Sequence, residues 1–235
     1  RVFAMLAGTA RDPQDVVATV PPDLVECSVE KVAINAVMAG CLPEYMPVVV
    51  AAVEAIADPL WAYHGPATST GGAGPLVIVN GTIARRLEIN CEDNLFGPGW
   101  RANATIGRAL ELIVRNVGGG IPGELDRATL GGPGKYTFCF AEDETDPTWE
   151  PLSVVRGIAP GRSAVTLFQG DGIQGFIDQR SRTWVGSCIT RLPWPHSQRR
   201  GRALRSWRTC RSSSRRGRVI IRLWLAPAWQ FARWR

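Results

Sequence analysis

The chain has 235 residues, of which 27 are basic and 21 acidic, and 45% of them are hydrophobic. This length suffices for one sizeable domain, or two small ones, with a hydrophobic core, and the composition excludes a disordered acidic chain. No run of about 18 apolar residues occurs, so the sequence predicts no membrane-spanning helix and no membrane partner. Because the 6 cysteines are too sparse for a disulfide scaffold and the start lacks a signal-peptide pattern, we expect a cytoplasmic protein.

The net charge of +6 is an average over two unlike parts. Residues 1–179 have a net charge of −9, whereas the tail, residues 180–235, contains 15 Arg, no Lys and no acidic residue. Six of the 9 Trp also lie in the tail, without any repeat or periodicity. Since GC-rich DNA read out of frame encodes such a composition, we hypothesise that a frameshift near Arg182–Trp184 replaced the native C-terminus. The alternative is a genuine basic arm that binds nucleic acid.

The first part of the domain is predicted to be helical. DPQDVVATV, at residues 12–20, predicts a short helix that ends at Pro21. Ser28 is placed to cap a second helix, VEKVAINAVMAG, which ends at Gly40, and Pro43 is placed to begin a third. The sequence therefore predicts two helices joined by an elbow that contains Cys41.

The remaining segments alternate between strands and helices. LVIVNG predicts a buried strand, GTIARRLEIN a following helix, and ATIGRALELIVRNV an amphipathic helix over 104–117. YTFCFAED, PLSVVRG and SAVTLFQ predict three further strands. This interleaving predicts an α/β fold for residues 1–179, with a mainly parallel or mixed sheet flanked by helices and a disordered or non-native tail. We expect the domain to be N-terminally truncated, since the sequence does not begin with Met.

Cysteine is the first candidate for chemistry. Cys41 is predicted to lie just before a helix N-terminus, where amide groups and the helix dipole favour a thiolate. Burial as a small apolar residue is the equal alternative for Cys41 and the favoured one for Cys91 and Cys139. His64, the only histidine of residues 1–179, lies in a Gly/Thr-rich loop and is the candidate base for Cys41. The Cys and His spacings match no metal-ligand pattern, so no metal site is predicted.

A set of polar residues is the candidate for binding a substrate. Asn80 ends the buried strand, where open α/β sheets bind ligands, and Arg101 and Asn103 follow in the next loop and helix. The alternative is turn and cap chemistry, with Asn103 capping the helix over 104–117. Lys31 and Lys135, the only two lysines, complete the set, and Lys135 is a candidate anion ligand. No Gly-rich segment matches a nucleotide-binding loop, which leaves the cofactor unknown.

Four blocks carry a resemblance to a known family: VEKVAINAVMAGCLPEYMPVVVAAVEAI, GPLVIVNGTIARRLEIN, GPGWRANATIGRALELIVRNV and LGGPGKYTFCFAEDE. Over about residues 5–170, the chain resembles the C-terminal region of UGSC-related (selenocysteine- or cysteine-containing) bacterial proteins. The resemblance implies thiol or selenol chemistry, including a lyase-type role, and an upstream companion domain that carries the Cys/Sec motif.

Two functions follow from these observations. The first is a thiol-dependent redox or lyase-type enzyme that acts on a small molecule, with Cys41 as nucleophile and His64 as its base. The alternative is a non-catalytic ligand-binding or assembly domain that serves the upstream Cys/Sec module. Nucleic acid is a partner only if the tail is genuine.

Overall fold

The computed structural model describes residues 1–145 and 150–173, together with strands at 209–214, 217–222 and 230–233. The rest of the tail, including the proposed frameshift point, lies outside the described residues. The frameshift and the boundary at residue 179 therefore stay predictions.

The N-terminal region consists of a short helix and a β-hairpin. Helix α1 spans Val2–Leu6, and strands β1 (Val16–Val20) and β2 (Val25–Ser28) pair antiparallel. The helix predicted over residues 12–20 is therefore wrong. Asp12 instead forms a turn, since its carboxylate accepts a hydrogen bond from the Gln14 amide at 2.8 Å. The β-branched residues that follow favour an extended chain over a helix.

The predicted helical elbow is present, although its second helix begins later. Helix α2 spans Val29–Ala39; the Ser28 side chain accepts from the Lys31 amide, and Gly40 ends the helix with a φ of 89°. A single 3-10 turn then covers Pro43–Tyr45, and α3 spans Met46–Ile56. Cys41 therefore does not adjoin the N-terminus of α3.

The central sheet is mixed, which confirms the predicted α/β class. Strand β3 (Gly74–Asn80) is flanked by β4 (Cys139–Ala141), which runs parallel to it, and by β5 (Ala164–Gly170), which runs antiparallel. Val77 is paired with Cys139 on one side and with Leu167 on the other. In the tail, β6 (Thr209–Ser214) and β7 (Gly217–Arg222) pair with each other, and β8 (Gln230–Arg233) pairs with β5.

The segment PLSVVRG, predicted as a strand, is instead the helical turn α7 (Leu152–Val155). Its first amide, that of Leu152, donates to the Glu142 carboxylate at 2.8 Å, so a side chain from the end of β4 caps this turn. Two further short helices, α4 (His64–Ala67) and α5 (Thr82–Arg86), lie before and after β3.

Helix α6 (Arg101–Asn116) packs against α2, β3 and β4. It begins three residues before the predicted helix, which places Asn103 inside it and makes the predicted Asn103 cap wrong. A Cβ on Gly107 would meet the Phe138 amide nitrogen at 2.6 Å, and one on Gly74 would meet the Glu111 Oε1 at 2.9 Å. Helix α6 therefore runs antiparallel to β3.

This orientation distinguishes two ends of the molecule. The carboxyl edge lies where β3 and β4 end, at Asn80 and Ala141, beside the first turns of α6. The amino edge lies where β3 begins, at Gly74, beside the turn of α6 that contains Glu111. One face of the sheet packs against α2, α3 and α6 in the main core, and a smaller cluster that includes Leu76, Ile78 and Phe140 covers the other face.

Candidate functional site

Cys41 lies in the elbow after α2 with its sulfur turned inward. The residue is only 6% exposed, and its Sγ donates a hydrogen bond to the Thr105 carbonyl oxygen at 3.4 Å. Its backbone amide donates to the Ala36 carbonyl oxygen at 2.9 Å, which closes the end of α2. The thiol is thus packed against the first turns of α6.

The surroundings of Cys41 disfavour a thiolate. Burial raises the pKa of the Cys41 thiol to about 11, and this effect outweighs the opposite effects of the Thr105 hydrogen bond and the Arg101 charge. The predicted activation by a helix N-terminus is therefore wrong: the 3-10 turn separates Cys41 from α3, while burial destabilises the charged form. Burial also raises the pKa of Cys27 and Cys91, each to about 11.

His64 and Cys41 are associated with opposite ends of α6. His64 is exposed, and its Nδ1 lies 3.2 Å from the Pro22 carbonyl oxygen. The next residue, Asp23, donates from its amide to the Gly118 carbonyl oxygen at 2.8 Å, just beyond α6. Thr105, beside Cys41, and Gly118 are separated by roughly 20 Å of helix at 1.5 Å per residue. The structure therefore does not pair His64 with Cys41.

Two of the predicted binding residues bind the main chain at the ends of α2. The Lys31 ammonium donates to the Glu26 carbonyl oxygen at 2.7 Å, and the Arg101 guanidinium donates to the Gly40 carbonyl oxygen at 2.9 Å. Arg101 thereby satisfies one of the carbonyl groups that a helix end leaves unpaired. Both side chains are exposed, and the structure brings neither of them together with Asn80 or Lys135.

Asn103 fastens a loop to α6. Its side chain accepts from the Asn90 amide at 2.8 Å and donates to the carbonyl oxygens of Asn90 at 3.0 Å and Leu95 at 3.3 Å. With the side chain only 4% exposed and its polar atoms bonded to the backbone, Asn103 supports loop 90–95 instead of facing solvent.

Asn80 lies at the carboxyl edge, as predicted, but it is fully buried. Its Nδ2 donates to the carboxylates of Glu142 at 2.7 Å and Glu144 at 2.8 Å, and its Oδ1 has no hydrogen-bond partner. Burial raises the pKa of Glu142 despite hydrogen bonds from Asn80 and the Leu152 amide. Asn80 thus joins the end of β3 to the segment after β4.

Lys135 lies at the amino edge in an ion pair with Asp126, with 2.8 Å between Nζ and the carboxylate oxygen. Two residues that the sequence analysis missed lie near this pair, Tyr63 and Glu111. Glu111 could have been found in the sequence, because Gly107, Glu111 and Val114 share one face of α6 and that face is turned inward. The burial of Tyr63 could not be predicted in this way, because Tyr63 precedes a helix of a single turn, which is too short to show a helical pattern.

An open groove of about 560 Å³ adjoins the Cys41 elbow. It lies between the end of α1, the 3-10 turn and the end of α5, and its lining residues include Leu42, Glu44, Tyr45, Arg86 and Glu88. Cys41 is not in the lining, although Leu42 follows it directly. Glu88 has a positive φ of 53° because it ends α5, where the Ile89 amide donates to the Ala84 carbonyl oxygen at 2.9 Å.

Comparisons with protein-family profiles, with curated proteins and with solved structures gave no match. Within the described part of the chain, no helix is both long and apolar enough to cross a membrane. The same part contains no group of three or more His, Cys, Asp or Glu side chains that could hold a metal ion.

Proposed function

We propose that the domain binds a small polar molecule in the groove beside the Cys41 elbow and serves an upstream Cys/Sec module without supplying the nucleophile itself. The observation that carries this proposal is the groove, since its volume of about 560 Å³ falls within the range usual for small-molecule sites. The upstream module is inferred from the family resemblance, and both the module and the resemblance are part of the proposal.

The charges in the groove indicate the class of ligand. Arg86 can pair with a carboxylate, and Glu44 and Glu88 can accept from an ammonium group. A zwitterionic amino acid matches both signs of charge. The end of α5 fixes the Glu88 backbone beside the groove, because the Glu88 and Ile89 amides donate to the Arg85 and Ala84 carbonyl oxygens.

Arg86→Ala in the full chain tests the groove, with Arg85→Ala as the matched control. Both arginines are exposed in α5, but only Arg86 lines the groove. We expect heteronuclear NMR titrations with the common amino acids to find a ligand whose affinity falls about tenfold or more in Arg86→Ala, the loss of one charge-assisted hydrogen bond. Equal affinities of the two variants, or no binding by the wild-type chain, would overturn the proposal.

The second candidate is the thiol-dependent enzyme predicted from the sequence. The observation in its favour is that the Arg101 guanidinium and the groove both lie beside the Cys41 elbow. Iodoacetamide alkylation followed by mass spectrometry separates the two candidates. The ligand-binding proposal predicts slow modification of native Cys41 at pH 7, with a rate that rises about tenfold per pH unit up to about pH 11. Fast modification at pH 7 that unfolding in urea abolishes would favour the enzyme.

A further inference from the structure

The amino edge contains four titratable side chains that take no part in the proposed function: Tyr63, Glu111, Asp126 and Lys135. Tyr63 is 4% exposed, and the side chains of Lys135 and Asp126 are 19% and 12% exposed. The group lies where two glycine-rich segments meet, residues 69–74 and 129–135, which we call the glycine seam.

The seam depends on close backbone contact. A Cβ on Gly72 would lie 2.7 Å from the Gly131 carbonyl oxygen, and one on Gly74 would lie 2.7 Å from that of Gly134. The Thr129 amide donates to the Thr70 carbonyl oxygen at 3.1 Å, which joins the two segments. Glu111 lies beside the contact between Gly74 and Gly134, because its Oε1 is 2.9 Å from the position that a Cβ on Gly74 would take.

The charges around Glu111 do not balance if it is ionised. Two carboxyl groups, those of Glu111 and Asp126, share one cation, that of Lys135, and Lys135 is paired with Asp126. The Glu111 Oε1 is buried and has no hydrogen-bond partner. The Gly134 carbonyl oxygen lies on the same side of Gly74, 2.7 Å from the Cβ position that the Glu111 Oε1 also approaches. An ionised Glu111 would therefore place an unpaired charge beside another carboxylate and a carbonyl oxygen.

We infer that Glu111 is a proton-binding site that holds the glycine seam closed while it is protonated and opens the seam when it ionises. Burial raises the pKa of Glu111 to about 8, with Asp126 adding to the rise and Lys135 opposing it. The other groups that face Glu111 do not compensate for its charge. Tyr63 stays neutral because burial raises its pKa, and β3 contributes only Gly74 at this point. On α6 itself, Arg108 and Arg115 are exposed.

Amide hydrogen exchange in the full chain tests the switch, with Glu111→Gln as the variant that cannot ionise. We expect the protection factors of the Thr129 and Lys135 amides, corrected for the intrinsic pH dependence of exchange, to fall at least tenfold from pH 6.5 to 9.5 in the wild type. In Glu111→Gln they should stay constant. Glu124→Gln is the matched control, because Glu124 is exposed in the same connection and should leave the wild-type behaviour unchanged. Constant protection in the wild type would overturn the inference.

A second measurement keeps the inference testable if Glu111→Gln does not fold. In the wild-type chain labelled with 13C at the Glu side-chain carboxyls, one resonance should titrate with a midpoint near 8. Lys135→Met should move that midpoint upward, because it removes the cation that, among the described residues, opposes the rise. If all glutamate resonances titrate below pH 6, Glu111 is ionised at neutral pH and the switch does not exist. Neither measurement involves the groove, so failure here leaves the proposed function untouched.

Discussion

At the carboxyl edge of the sheet, Asn80 and Asn103 are buried and bind carboxylates or main-chain groups that hold loops to the core. Among the described residues of the amino edge, two carboxyl groups share the cation of Lys135, and one of them has an unpaired buried oxygen. The sequence predicts function at the carboxyl edge because open α/β sheets bind ligands there. The contrast shows that polar residues at the expected position can serve structure by binding other groups of the protein, whereas a buried carboxyl group whose neighbouring cation is already paired can respond to the pH.

The largest expected effect tests the structural role of the carboxyl edge. Asn103→Leu removes three hydrogen bonds and leaves the Asn90 amide, the Asn90 carbonyl and the Leu95 carbonyl without their partner. We expect a loss of about 3 kcal/mol or more in the free energy of unfolding, measured by urea denaturation. Asn116→Leu is the control, since it breaks one half-buried hydrogen bond to Asn35 and should cost about 1 kcal/mol. Equal losses would show that the loop is not held by Asn103.

An intermediate effect tests the charge imbalance of the amino edge. Glu111 has a pKa of about 8 in the folded state against 4.5 in the reference state, so the folded protein binds more protons and its stability falls as the pH rises between these values. Because Glu111 as a whole residue is only half-buried and solvent screens its charge, we expect a total decrease of about 2 kcal/mol between pH 5 and pH 9. Glu111→Gln should lack this decrease and be more stable than the wild type at pH 9, as shown by urea titrations at pH 5, 7 and 9. A wild-type stability that does not fall relative to Glu111→Gln would contradict the imbalance.

The smallest effect is expected at Lys31, which the sequence analysis placed among the binding residues. Its ammonium donates only to the Glu26 carbonyl oxygen, and the side chain is exposed. Lys31→Met should therefore change the free energy of unfolding by no more than about 0.5 kcal/mol. It should also leave the amino-acid titration of the groove unchanged. A clear loss of ligand affinity would show that Lys31 contributes to ligand binding.

Much of the fold could be predicted because local signals agreed with the tertiary structure. Ser28 and Gly40 mark the ends of α2, and the apolar run that ends at Asn80 is the central strand. Errors arose where a local signal had a competitor. Asp12-Pro13 suggested a helix start, but the β-branched residues after it form β1. The apolar residues of PLSVVRG suggested a strand, but the Glu142 carboxylate caps a helical turn there.

The candidate site was harder to predict, because it depends on burial and on distances between remote segments. The sequence shows that Cys41 and His64 exist, but not that α6 separates them or that the elbow turns the sulfur inward. It also shows Lys135 as a rare cation without showing that Asp126 neutralises it. Glu111 could be recognised in the sequence as a carboxylate on the inner face of an amphipathic helix. Its charge imbalance could not, because it depends on the pairing of Lys135 with Asp126.

The loop that Asn103 holds has a consequence for self-association. Strand β4 is the outer strand of the sheet on its side, and only three of its residues are in strand conformation. The Asn90 carbonyl oxygen accepts from the Ala141 amide at 3.3 Å, so the loop occupies a backbone donor that another chain could otherwise use to extend the sheet. The hydrogen bonds that keep the loop in place thereby also keep this β4 donor from pairing with a strand of another molecule.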